Sequence, residues 1–204
     1  MFEIGQHVIH PGQGVCTVTG FTEDVTHPMI LLRAKSGHAE THLMYPLAQQ
    51  SRLHAIISRE DAEDLIDSYA DLTVDSFTER NSALEETHFK QQLKLGAPET
   101  VRVAKTMRHR IAEAEAHGKK PSSYYSRMLK EARRRTLEEF SVALGADEDA
   151  VEERFKAAII QAGEIPTLNR STPRLNLGTV PKLRRGIEVQ HNGKARTPAC
   201  YSVM

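Results

Sequence analysis

The 204-residue chain has no tryptophan and only two cysteines. Cys16 and Cys200 stand alone near opposite ends, which excludes both a disulfide framework and a C-x-x-C metal pair, so they read as two free thiols. No run approaches the 18 apolar residues that a membrane span needs. The opening MFEIGQH has neither a basic leader nor an apolar core, and the expectation is a cytoplasmic chain with no signal peptide and no membrane partner. Also missing are G-x-S-x-G, H-E-x-x-H, a Walker-type loop and a Rossmann fingerprint, so nothing sets a nucleophile beside a base or cradles a phosphate. We expect no enzyme and no cofactor. Ten histidines are present, and His38 with His42, or His7 with His10, could approach one another. A metal site needs three or four convergent ligands, and neither pair has a Glu or Cys at such spacing, so no metal is expected.

What is present is an ordinary soluble composition, 39% apolar and 26% charged, enough for a core in at least one domain. The zero net charge hides a division. Residues 1–164 hold 20 Lys and Arg against 26 Asp and Glu, a net of −6, whereas residues 165–204 hold 7 against Glu188 alone, a net of +6. Local positive density of that kind points to a phosphate-bearing partner for the tail.

The first twenty residues organise the chain. In FEIGQHVIHPGQGVCTVTGF, the runs Val8-Ile9 and Val15 to Thr19 flank Pro11-Gly12-Gln13-Gly14, where a proline fixes φ and glycines allow φ > 0. That spells strand, tight turn, strand. Met29 to Arg33 and Glu40 to Tyr45, joined through Ala34 to His38, read as a further hairpin. Short strands without intervening helices suit a compact SH3-like or Tudor-like barrel over residues 1–53, which must lean on the next domain or donate an edge to a partner.

From Ser58 the period changes to about 3.6. Ser58 with Asp61 caps a helix running to about Ala70; Ser76 and Glu79 form a capping box for a second, with Phe77, Leu84, Leu93 and Leu95 as its stripe, closed by Gly96. A third starts at Pro98, carries Val101, Ala104, Met107 and Ile111, and stops at Gly118. A fourth runs from Ser122 or Ser123 to Leu144 with Gly145 beyond it, and a fifth is capped by Asp147, carries Val151, Phe155, Ala158 and Ile159, and ends at Gly163. The fold class is therefore α+β: a small N-terminal barrel, a bundle of about five helices over residues 58–163, and an extended or disordered basic tail over 164–204.

On the fourth helix Arg127, Lys130 and Arg134 share one side, flanked by Arg133 and Arg135, with Lys119-Lys120 just upstream. Two readings stand: a solvated face paired with Glu131, Glu138 and Glu139, or a phosphate-contacting face. The acidic stretch Asp61 to Asp75 reads as solvated surface.

Together these residues resemble the CarD family, whose members bind bacterial RNA polymerase through an N-terminal Tudor-like domain shared with the transcription-repair coupling factor. Against the family pattern Phe-x-x-Gly-Asp-x-Val-Val-Tyr-Pro-x-His-Gly-Val-Gly, the chain offers Phe2, Gly5, Val8, Ile9, Pro11, Gly14 and Val15, with Gln6, His10, Gln13 and Cys16 as departures. Met44-Tyr45-Pro46 is similar to the family's Met-Val-Pro strand end. Ser123 to Arg133, with Arg127-Met128-Leu129 and Ala132-Arg133 intact, is similar to its helical motif, as is Ala143-Leu144-Gly145 followed by acids. The likeness spans residues 2 to 163 and leaves the tail unexplained.

The resemblance implies a transcription regulator whose edge strand, Glu40, Thr41, His42, Leu43, Met44 and Tyr45, adds to the polymerase β subunit and holds the bundle beside promoter DNA at the upstream edge of the melted region. Lys119, Lys120, Arg127, Lys130 and Arg134 are the candidate phosphate contacts, with Arg170, Arg174, Lys182, Arg184 and Arg185 of the tail as a substitute anchor. The family's wedge tryptophan corresponds to Ser82, in Asn81-Ser82-Ala83-Leu84-Glu85-Glu86. A serine hydroxyl cannot replace lost base stacking, and Glu85 and Glu86 would repel phosphates. That departure supports an alternative, an adaptor or competitor that occupies polymerase without touching DNA.

Overall fold

The computed structural model describes residues 2–23, 26–36 and 39–164. Five strands come first: β1 (His7–His10), β2 (Gly14–Phe21), β3 (Met29–Ser36), β4 (Ala39–Pro46) and, after a 3-10 turn over Leu47–Arg52, β5 (His54–Ala55). They form one antiparallel sheet in the order β4-β3-β2-β1-β5. The sheet is open rather than a closed barrel, with β4 and β5 at its two margins. The four expected strands are present. β5, only two residues long, was beyond any periodicity signal.

Alternation decides which face is covered. Val8, Cys16, Val18, Ile30, Leu32 and Ala34 are buried together, with Leu43 and Tyr45 of β4 packed against them. A register shift between Val18 and Gly20 bends β2. The His10 ring meets the Tyr45 ring edge-on at 5.2 Å although two strands separate β1 from β4, so the sheet curls.

Five helices follow: α1 (Arg59–Asp67), α2 (Ser82–Gln92), α3 (Ala97–Ala116), α4 (Ser123–Leu144) and α5 (Glu148–Gln161). Capping explains most boundaries. Ser58 accepts the Asp61 N–H, Asp147 accepts the Ala150 N–H, and Gly145 ends α4 in the left-handed region at φ 62°. α1 stops three residues short of Ala70, where Tyr69–Asp71 tightens into a 3-10 turn.

α2 departs most from expectation. Ser76 and Glu79 cap nothing, and the helix begins instead at Asn81, whose Oδ1 accepts the Ala83 N–H. The backbone before it is already engaged: Asp75 N–H donates to Thr106 Oγ1, Phe77 N–H to Asp75 Oδ1, and Arg110 to the Asp75 and Phe77 carbonyls. Competing side-chain bonds of this kind exclude a helical turn. Of the expected stripe only Leu93 is buried, while Phe77, Leu84 and Leu95 are exposed. α2 is anchored by Phe89 and Glu85 instead.

The long helices α3 and α4 pack on each other and serve two cores. Val101, Phe140 and Leu144 join Ile66, Tyr69 and Phe155 in one, and Met107, Met128 and Leu129 join Phe89 in the other. Sheet and helices together form one compact unit. Among the described residues no helix is long and apolar enough to cross a membrane.

Candidate functional site

The exposed margin of the sheet is β4, which pairs only with β3. Leu43 and Tyr45 turn towards the core, so the alternate residues Glu40, His42 and Met44 face outward; Thr41 is also exposed, and Met44 is 63% exposed. The opposing β3 positions are Lys35 for Glu40, Arg33 for His42 and Leu31 for Met44. Among the described residues no strand pairs with its outer side, so alternate residues of β4 present unpaired backbone groups beside a mixed polar and apolar face.

The other notable feature of the sheet domain is its turn, which faces the helices. Arg135 of α4 donates to the carbonyl oxygens of Pro11 (3.0 Å), Gly12 (3.3 Å) and Leu93 (3.2 Å), while its Nε bonds Glu131 at 2.7 Å. Glu131 also takes two bonds from Arg134, whose Nη1 reaches Glu138 at 2.6 Å. Burial pushes the Glu131 carboxyl up, but the two guanidiniums outweigh it and bring it down to about 2. Gly14, at φ 85°, lies against this cluster: a Cβ there would meet Glu138 Oε2 at 2.9 Å. Gly14 is thus a glycine for two reasons, conformation and clearance. His10 Nδ1 accepts the N–H groups of Gly12 and Gln13, both at 3.1 Å, so in this turn it is unprotonated. Burial and the nearby Arg135 hold the imidazole below its ordinary value of 6.5. Cys16 behind the turn is buried, and its thiol is pushed up to about 11 by burial and by Glu138.

The basic residues singled out in the sequence divide. Lys119, Lys120 and Lys130 are exposed, with no carboxylate in ion-pairing range among the described residues. Arg127 is 62% exposed and pairs with Glu86 at 2.8 Å, which also holds Lys90 at 3.0 Å. Arg134 is enclosed by Glu131 and Glu138, and Arg133 pairs with Glu152. Ser82 is exposed in the first turn of α2. Arg170, Arg174, Lys182, Arg184 and Arg185 lie outside the described residues.

Glu85 differs from the sequence reading. It is 4% exposed, bonded to Arg110 at 2.5 Å and to the Tyr124 hydroxyl, so its charge is neutralised inside the bundle and cannot repel a phosphate. Glu139 is also inside, at 5% exposure, and accepts the Ile57 N–H at 3.2 Å; burial pushes its carboxyl up to about 7. Spacing could place neither acid, because an i to i+4 rule sees only partners on the same helix. No protein-family model matches the chain, and no curated protein matches it.

Proposed function

We propose that the protein is a CarD-like transcription regulator that binds the β subunit of bacterial RNA polymerase by adding the free edge of β4 to a polymerase strand, and that it acts by binding rather than catalysis. The observation that carries this reading is the outer edge of the eight-residue strand β4, which no described strand pairs and which bears Met44 at 63% exposure. Backbone pairing along such an edge supplies affinity, and the alternate side chains Glu40, His42 and Met44 supply selection. The curl that brings His10 to Tyr45 supports a Tudor-like origin for the open sheet. The helices then lie beside promoter DNA, with Lys119, Lys120 and Lys130 as the cations free to meet phosphates. A factor of this kind raises the open promoter population only by its differential affinity for open over closed complexes.

The test is affinity capture of polymerase by the wild type and by Met44→Arg. Loss of capture by a variant that keeps its thermal transition is the expected result; equal capture by both overturns the proposal.

A second reading, an adaptor or competitor that occupies polymerase without contacting DNA, is favoured by the pairing of Arg127, Arg133 and Arg134 with carboxylates and by the small, exposed Ser82. The two readings separate on open-complex lifetime. A lifetime that shortens when Lys119, Lys120 and Lys130 are all changed to Glu supports DNA contact. Unaltered lifetimes with retained capture support the adaptor.

A further inference from the structure

Lys105 and Arg108 share one face of α3, and their side chains are only 8% and 11% exposed. Both stand against the ring of Tyr69, with Lys105 Nζ 4.8 Å and the Arg108 guanidinium carbon 5.9 Å from its centroid. Lys105 Nζ donates to the carbonyl oxygens of Tyr69 (2.8 Å) and Ala70 (3.0 Å), and Arg108 Nη1 donates to the Tyr69 hydroxyl. Among the described residues, Glu164 is the one carboxylate in range of either cation. Two enclosed positive charges therefore face one negative charge, an imbalance that burial makes costly.

Glu164 meets these cations loosely. Its Oε1 lies 3.6 Å from Lys105 Nζ and its Oε2 3.7 Å from Arg108 Nη1, both beyond hydrogen-bonding distance, while the Tyr69 hydroxyl donates to Oε2 at 3.0 Å. The Nε–H of the Arg108 guanidinium is buried and has no hydrogen-bond partner, so a donor of this cluster goes unused. Burial pushes the Tyr69 hydroxyl above its ordinary value, and it stays a proton donor at neutral pH. Glu164 is also free to withdraw. It stands three residues past the end of α5, its N–H is held by the Ile159 carbonyl at 3.0 Å, and its side chain is 24% exposed, so rotation of the side chain alone would carry the carboxylate into water.

The group that fits such a cluster has more charge and more acceptors than a carboxylate. A phosphate monoester carries a charge of about −1.5 to −2 at pH 7 and three terminal oxygens. That is enough to engage an ammonium, a guanidinium fork and a hydroxyl at once. A phosphodiester, with a single charge, would gain little over Glu164. The geometry points to a binding site for a phosphate dianion, free or as a monoester, formed by Tyr69, Lys105 and Arg108, with the Glu164 carboxylate as its built-in competitor. This site lies on the helices and is independent of the β4 edge.

The test is titration of the full-length protein with inorganic phosphate at pH 8 and constant ionic strength, followed by calorimetry and by the amide resonances of Ala70 and Glu164. We expect saturable one-site binding that moves both resonances. Glu164→Ala should tighten it roughly 10-fold, the factor by which a site open about a tenth of the time loses affinity. Arg108→Met should weaken it roughly 10-fold through loss of charge-assisted bonds, and Tyr69→Phe, which keeps the ring and the fold, roughly 3-fold through loss of one neutral donor. Glu153→Gln, at an exposed α5 carboxylate that pairs with Lys156, should leave it unchanged. Parallel titration with a phosphoserine peptide distinguishes a free phosphate from a partner's phosphorylated side chain. No saturation of either wild type or Glu164→Ala at millimolar phosphate, equal binding of dimethyl phosphate, or unchanged affinity in Tyr69→Phe and in folded Arg108→Met would overturn the assignment.

Discussion

The Arg135 guanidinium lies 3.0 Å from the carbonyl oxygen of Pro11, a residue 124 positions earlier in the chain. This bond and its companion to Gly12 fasten the first turn of the sheet to the middle of α4. Arg135→Lys keeps the charge but loses the fork that spans two carbonyls. We expect it to cost roughly 1–3 kcal/mol, since it leaves partly buried acceptors without donors. Hydrogen exchange should show faster exchange at Gly12 and Gln13 than at the centre of β3.

Gly14→Ala should be more damaging than Gly12→Ala. At Gly14 the added methyl meets both a φ of 85° and the Glu138 carboxylate at 2.9 Å; at Gly12 the nearest atom is the His10 ring, at 3.5 Å. A loss of about 1–3 kcal/mol at Gly14 and under about 1 kcal/mol at Gly12 is expected in chemical denaturation.

Two groups make stability depend on pH in opposite senses. His10 is held below 6.5 when folded, so its contribution is complete above the unfolded value and is lost as pH falls through the folded one. Glu139 is raised from 4.5 to about 7, so its contribution is complete below 4.5 and is lost as pH rises through about 7. Glu139→Gln should therefore stabilise the protein at pH 8 by on the order of 2 kcal/mol and change little at pH 5. His10→Phe should weaken the turn at pH 8 and remove part of the acid-side loss. Thermal melts across this range decide both.

Glu85→Ala should be among the most destabilising single changes, at roughly 3–5 kcal/mol, because it strands the Arg110 charge inside the bundle. Glu85→Ala with Arg110→Met should recover part of that loss. A double-mutant cycle in urea measures the coupling.

Strands β1 to β4 and the limits of α3, α4 and α5 were legible because each rests on a local signal: alternation, a proline in the first turn, a glycine at φ 62° after Leu144. The start of α2 was not, because Thr106 and Arg110, some thirty residues later, claim the backbone that Ser76 and Glu79 would have capped. The row of arginines on α4 was visible as charge. The enclosure of Arg134 by Glu131 and Glu138, three and four residues away on the same helix, matches the paired-face reading, whereas the docking fork at Arg135 depends on the carbonyls of a distant loop. Glu85 and Glu139 were hidden for the same reason: sequence reports a carboxylate and says nothing of what covers it.

The fastening of the Pro11 to Gly14 turn also fixes a direction. Three strand spacings, each about 4.8 Å along the curled sheet, link β4 to β1, and β1 leads directly into the turn held by Arg135. A strand laid along β4 would inherit this bearing, and α4 would point wherever that strand dictates, with no swivel at the turn to take up an error. In the proposed complex the molecule would thereby act as a set square between the strand on its edge and the surface facing its helices.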